Sequence, residues 1–358
     1  MRLACAEIDL TALQANLKRT QQMAPNSKIM AVLKANAYGH GLVKVAQHLN
    51  EADAFAVARI DEALALRAGG ITKPIVLLEG FFHASDLPIL LANNLQTIVH
   101  NIQQLEAIEQ AQLDAKLTVW LKVDTGMHRL GVEPSEFLAF HKRLKACANV
   151  ADTIHLMTHF ACADDKHNDQ TQVQQALFTR LVDTLSGPLC LANSAAVIGW
   201  PQTHGDWIRP GLMLYGISPM QNGVGQQHGL QPVMRLTTKV IAIRQLKANS
   251  PVGYGGRWQS PCDTQLAIIG VGYGDGYPRH AQCGTPVVIR NKRYGIVGSV
   301  SMDMISVDIG ANPDGIQVGD EVEMWGPNLA VEEVARCAGT IPYELLCNVT
   351  PRVSYEYC

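Results

Sequence analysis

The sequence predicts an α/β chain of two domains, an N-terminal (β/α)8 barrel of the TIM type and a C-terminal mostly-β domain. Three observations carry that expectation. From about residue 28 to 215, apolar runs rich in β-branched residues alternate with amphipathic stretches, the signature of repeated βα units around a parallel sheet. Eight such runs fit into roughly two hundred residues, which favours a closed barrel over an open doubly wound sheet. After residue 216 the texture changes to short strand-like runs separated by Gly, Pro, Asn and Asp.

In chain order, a first helix opens at Asp9, a good N-cap, and runs towards Met23. The eight candidate strands are 29–34, 54–58, 75–78, 95–99, 117–123, 154–159, 189–192 and a weaker run at 207–214. Helix-like stretches lie between them at 41–50, 61–68, 102–112, 135–147 and 169–185. The Gly/Gln-rich stretch 221–229 and Pro232 mark a junction. The expected domains are therefore 1–228, the barrel, and 229–358, the β domain. In the second, runs at 238–243, 266–271, 286–289, 294–297, 305–309 and 321–324 read as strands, and 331–337 as a helix.

With 47% hydrophobic and 17% charged residues among 358, the chain is ordinarily globular. A net charge of −3 without a basic stretch leaves no electrostatic footprint for nucleic acid or an anionic membrane. Small-molecule partners are expected instead. No segment reaches transmembrane length, and Glu7 and Asp9 interrupt the first apolar run before a signal-peptide core could form. Nine scattered cysteines without a C-x-x-C pair suit a reducing compartment. The expected location is the cytoplasm.

Catalytic groups of a TIM barrel sit at the C-terminal ends of its strands. Lys34 ends the first run in VLKANAYGHG. Partial desolvation there lowers a lysine's pKa and frees its amine for Schiff-base chemistry, although position alone better suits an ion-paired or snorkelling lysine. The fifth run, VWLKVDTGMHRLG, brings Lys122, Asp124 and Arg129 to the same end, and the sixth ends at His159. His155 and His159 have the spacing of a zinc-binding helix, but Leu156 stands where that motif has glutamate. No metal is expected. Asn193 and Ser194 open a helical turn suited either to a simple cap or to a phosphate. Arg209 comes next in DWIRPG, near the seventh and eighth strands where such barrels often hold phosphate. In the second domain PVGYGG and GVGYGDGYP set Tyr254, Tyr273 and Tyr277 in glycine-rich loops, which suit plain turns as well.

Taken together, these segments resemble the bacterial alanine racemase family over almost the whole chain. The most specific stretch is AVLKANAYGHG, residues 31–41, similar to the family's attachment site for pyridoxal 5'-phosphate (PLP). The resemblance implies Lys34 as the Schiff-base lysine and Tyr38 as a phosphate ligand. It further implies Arg129 at the cofactor phenolate and substrate carboxylate, Lys122 as a candidate for carbamylation, and His159 packed on the pyridine ring. Ser194, Gly211, Leu212 and Tyr343 match phosphate-side positions, and Arg209 matches the arginine facing the ring nitrogen. Tyr254 matches the second catalytic base, and Tyr273, Met302 and Asp303 match substrate-side positions. Ser301 stands where many relatives have cysteine, and Leu212 where isoleucine is common.

The implied reaction is interconversion of L- and D-alanine, supplying D-alanine for peptidoglycan, in a homodimer with shared active sites. Inversion at the α-carbon needs acid-base groups on opposite faces, here Lys34 and Tyr254. A guanidinium has no acceptor for a pyridinium proton, so Arg209 implies an unprotonated ring nitrogen. The competing readings are a PLP-dependent amino-acid decarboxylase with a similar domain plan, a non-catalytic PLP-binding barrel, and a racemase that also takes serine.

Overall fold

The computed structural model describes residues 3–358. Its strands are β1 (Cys5–Ile8), β2 (Lys28–Val32), β3 (Ala54–Val57), β4 (Ile75–Leu77), β5 (Leu95–Val99), β6 (Val119–Lys122), β7 (His155–Met157), β8 (Leu189–Asn193) and β9 (Trp207–Arg209). Further along come β10 (Met234–Leu246), β11 (Pro251–Val252), β12 (Trp258–Gln259), β13 (Thr264–Ile269), β14 (Pro286–Ile289), β15 (Lys292–Val297), β16 (Ile305–Asp308), β17 (Glu321–Trp325) and β18 (Ser354–Tyr357).

Strands β2 to β9 close into a barrel in sequence order, every neighbouring pair parallel and β9 returning to β2. All of β3, β4 and β6 is buried, which is why these runs read as unbroken apolar stretches rather than alternating ones. All eight predicted barrel strands are present. The eighth is shorter than 207–214 because Pro210 has no N–H for the parallel ladder, and the chain coils instead into a 3-10 turn at Leu212–Tyr215. The Pro210 carbonyl still serves, accepting from Val32 N at 2.9 Å.

The other unit is a mostly antiparallel sheet in the order β13-β16-β15-β14-β17-β10-β1-β18. β10 is long enough to pair with β1 and β17 along its first half and with β13 along its second, across a bulge between Val240 and Ala242. That extra pairing joins the sheet's β13 edge back to β10.

Two compact units result, one of residues 14–214 with 219–221, the other of residues up to Leu13 with 215–218 and 222–358. The expected division into 1–228 and 229–358 differs at both ends, because residues 215–218 and 222–228 group with the β-sheet unit, and so does the first strand. Its backbone partners are Thr237 to Met234 on one side and Ser354 to Tyr357 on the other. Asp9 caps the first helix as expected, accepting Ala12 N at 2.8 Å. Among the described residues no helix is long and apolar enough to cross a membrane.

Candidate active site

The barrel unit gathers its polar residues at the C-terminal ends of its strands. Lys34 stands two residues beyond β2, half-buried. The turn it opens is not an ordinary helix. Ala35, Asn36, Ala37 and Tyr38 all have φ between 52° and 55°, a left-handed turn that costs roughly 1–2 kcal/mol per non-glycine residue. Gly39, at φ 81°, closes it without that penalty. Strain of this kind persists only where surrounding structure over-determines it, and it clusters at functional sites. The turn places the Tyr38 side chain in the interior. A Cβ on Gly211 would lie 2.5 Å from the Tyr38 hydroxyl oxygen, so only glycine leaves that space open.

Lys122 ends β6 and is buried. Burial first, then the charges of Arg209, Arg129 and Lys34, push its ammonium down to about 8, against a smaller opposing pull from Asp124. The Asp124 carboxylate also shapes the adjoining loop, with Oδ1 accepting from Gly126 N at 2.8 Å and Met127 N at 2.9 Å and Oδ2 from Arg129 N at 3.1 Å. An aspartate accepting from the amides just after it is an Asx-type turn, and it sets where Arg129 begins.

Arg209 ends β9 as a buried cation. Its Nη1 donates to the Cys190 carbonyl at 2.9 Å, and Nη2 to the Thr158 and Leu191 carbonyls at 2.7 and 3.2 Å. Nη2 also lies 3.1 Å from His159 Nδ1. A guanidinium can only donate, so Nδ1 accepts and the His159 proton sits on Nε2. Desolvation, then the charges of Arg209, Lys122, Arg129 and Lys34, hold His159 well below its usual range, as a neutral ring. His155 and His159 share no ligand position. His155 begins β7 and stacks on Trp120 with ring centroids 4.1 Å apart, whereas His159 lies beyond the strand's other end.

Beside this cluster Asn193 caps the helix Ser194–Gly199, its Oδ1 accepting Ala196 N at 3.0 Å. Ser194 Oγ accepts from Gly211 N at 2.8 Å and Met213 N at 3.4 Å. That hydroxyl ties the start of this helix to the turn containing buried Leu212. The two segments the sequence pairs as a phosphate site are therefore in contact.

The β unit carries the remaining candidates. Tyr254 opens a 3-10 turn among Gly253, Gly255 and Gly256, all at positive φ, and is 73% exposed. Met302 is 51% exposed. Tyr273 N donates to Ser301 O at 3.0 Å and Gly274 N to Met302 O at 2.9 Å, so the two loops bearing Tyr273 and Met302 are hydrogen-bonded. Asp303 accepts from Arg352 Nη2 at 2.7 Å, and the same guanidinium reaches Asp275 at 3.2 Å. Tyr343 sits in the helix Pro342–Cys347. Sequence reasoning missed Glu62, whose carboxylate accepts the amide of Ala35 at 2.6 Å. A glutamate at the third position of a helix is a capping signal that could have drawn attention to it.

A closed eight-stranded barrel with a lysine after its first strand, and further cations on the same rim, has the layout of a barrel enzyme. Comparison narrows the class. Residues 8–219 match the family model for the N-terminal domain of alanine racemase, and residues 233–357 that for its C-terminal domain. Alanine racemases of Shewanella baltica (strain OS195) and Shewanella oneidensis are 55% and 54% identical to the chain over 349 residues, covering 98% of it and 97% of theirs. The crystal structure of the biosynthetic alanine racemase from Pseudomonas aeruginosa superposes with a TM-score of 0.97 at 43% identity over the full length of both chains. The structure of the alanine racemase from Acinetobacter baumannii gives 0.95 at 38% identity, again over both whole chains. The chain belongs to the alanine racemase family, and so to the isomerases.

Proposed function

We propose that this chain interconverts L- and D-alanine with PLP held on the barrel rim, as a cytoplasmic homodimer supplying D-alanine for peptidoglycan. The observation that carries the reading is the meeting of Lys34, Lys122, Arg129 and Arg209 with the Tyr38, Ser194 and Gly211 cradle on one face of one barrel. These residues fit the cofactor. PLP is a flat anion bearing an aldehyde, and the rim offers cations, a lysine, and an open space at Gly211 against the Tyr38 hydroxyl that a Cβ would fill. Bound there, PLP supplies an electron sink that makes the substrate α-proton removable.

Lys34 attaches the cofactor and, once free, moves the α-proton on one face, while Tyr254 moves it on the other. Arg129 would bind the substrate carboxylate and help to hold the cofactor. Neutral His159 would be a further residue holding it. Arg209, its terminal nitrogens committed to backbone carbonyls, would offer a fixed charge and no acceptor for a cofactor proton. Tyr38, Ser194, Gly211, Leu212 and Tyr343 would hold the phosphate group, and Tyr273, Met302 and Asp303 would bound the substrate side. The exposure of Tyr254 and Met302 in a single chain supports a site completed by a second copy.

Purified protein with PLP should racemise L-alanine in a chiral assay, and borohydride treatment with peptide mapping should leave the pyridoxyl group on Lys34. Labelling of another lysine, or carbon dioxide release instead of D-alanine, would refute the reading. Lys122 is proposed to be carbamylated and to orient Arg129. Only the neutral amine adds carbon dioxide, and with a pKa of about 8 its fraction rises with pH through that value. Labelled bicarbonate should give a carbamate signal that grows from pH 7 to 9 and vanishes in Lys122→Ala. Active wild-type enzyme without that signal would sink this assignment.

A further inference from the structure

We infer that Glu62 is a positioning residue for Lys34, its carboxylate clamping the left-handed turn that aims the lysine. This rests on the proposed role of Lys34. Glu62 occupies the third position of the helix Ile60–Ala68, which comes directly after β3. Its Oε1 accepts Ala35 N at 2.6 Å, the first amide after Lys34, and its Oε2 accepts Ala58 N at 2.9 Å and Arg59 N at 3.2 Å. One carboxylate thus bridges the chain leaving β2 to the chain leaving β3.

The turn has further hydrogen bonds within its own segment, and the residue before Lys34 is held to β3, with Leu33 N donating to Ala56 O at 2.8 Å. Gly39 N donates to Ala35 O and Gly41 N to Asn36 O, both at 3.0 Å. Leu42 N donates to Asn36 Oδ1 at 2.9 Å. The buried His40 ring closes the far side, with Nδ1 at 3.1 Å from Ala37 O and 2.9 Å from Tyr38 O. Two carbonyl oxygens require Nδ1 to carry the proton, and burial, opposed by those two bonds, pushes His40 down to about 4, keeping it neutral. The Leu33 bond holds the chain just before Lys34, and the contacts within the segment preserve the shape of a left-handed turn. Glu62 ties it to a neighbouring strand end at the residue adjoining Lys34. Charge-assisted bonds from backbone amides to a carboxylate are among the stronger hydrogen bonds, which suits a clamp that must hold a strained backbone.

Glu62→Gln keeps the size and one oxygen, so either Ala35 or the Ala58 and Arg59 pair is left facing an NH2 group. In the holoenzyme, with activity normalised to pyridoxyl trapped on Lys34, kcat for L-alanine should fall roughly 10²-fold, the scale of an ångström-sized misplacement. KM should stay within about threefold, since the loss lies in aiming the reacting amine rather than in uniform substrate binding. Amide hydrogen exchange should quicken across residues 34–39 while β5 keeps its protection. Unchanged normalised kcat, or unchanged exchange in that segment, overturns the inference.

The wild-type chain supplies a test that no folding defect can spoil. Ala35 is an exposed residue, yet its amide should exchange slowly because Glu62 accepts it. Fast exchange there overturns the clamp. If the wild type failed to racemise alanine or to carry pyridoxyl on Lys34, the proposed function would fall, and the Ala35 exchange rate would still decide the clamp by itself.

Discussion

Co-expressing Lys34→Ala and Tyr254→Phe chains, each almost inactive as a homodimer, should restore about one-quarter of the wild-type sites if each active site takes its lysine from one chain and its tyrosine from the other. Random pairing makes half of the dimers mixed. Each mixed dimer has one site with both bases and one with neither. Were Lys34 and Tyr254 to act within a single chain, every site in the mixture would lack one base. Activity no greater than that of the separate variants, with mixed dimers verified by mass, would therefore defeat the shared site. A physical reason favours sharing, because a barrel rim has to be covered to exclude water, and Tyr254 and Met302 are largely exposed in one chain.

Replacing Arg209 with glutamate should be almost as damaging. A carboxyl group can accept or share a proton with a ring nitrogen where a guanidinium cannot, so the cofactor would become a stronger electron sink. Racemisation should slow roughly 10²-fold or more, the scale seen when a preorganised charge is removed from an active site. Long-wavelength absorption should build up during turnover. The same change strips donors from the carbonyls of Thr158, Cys190 and Leu191, so melting temperature should fall as well. Arg209→Ala separates the two effects, since it loses the donors without adding an acceptor and should melt early without the new absorption. A glutamate variant with wild-type spectrum and rate would mean that Arg209 does not face the ring nitrogen.

The barrel was legible because its strands are buried on both faces. Runs such as Ala54–Val57 and Ile75–Leu77 therefore carry their own signal, independent of neighbours. β1 and β18 carry no such signal. Each is four residues long, and their partnership spans almost the whole sequence, with Cys5 opposite Ser354. The lysine, the arginines and His159 stood out as polar groups ending apolar runs, while Tyr254, Met302 and Asp303 were readable only through family likeness. The left-handed turn was invisible for a different reason. Ala35, Ala37 and Tyr38 have no intrinsic taste for positive φ, and one of the contacts that support the conformation, the Ala35 amide on Glu62, comes from 27 residues along the chain, where local sequence does not encode it.

The placement of β1 also bears on the order in which the chain can assemble as it leaves the ribosome. The barrel's last strand ends at Arg209 and pairs with β2, so this unit can close while the C-terminal sheet is still unmade. β1, made before the other strands described, waits longest. Its antiparallel partner arrives only with residues 234–237, and its parallel partner only with residues 354–357. Until residues 234–237 are made it is a strand without neighbours, and from then until residue 354 one of its sides stays open, the kind of edge that pairs wrongly in crowded solution. Its brevity, four residues with Glu7 among them, limits that hazard, and a nascent chain stalled before Ser354 would hold a closed barrel beside a sheet still open along one side of β1.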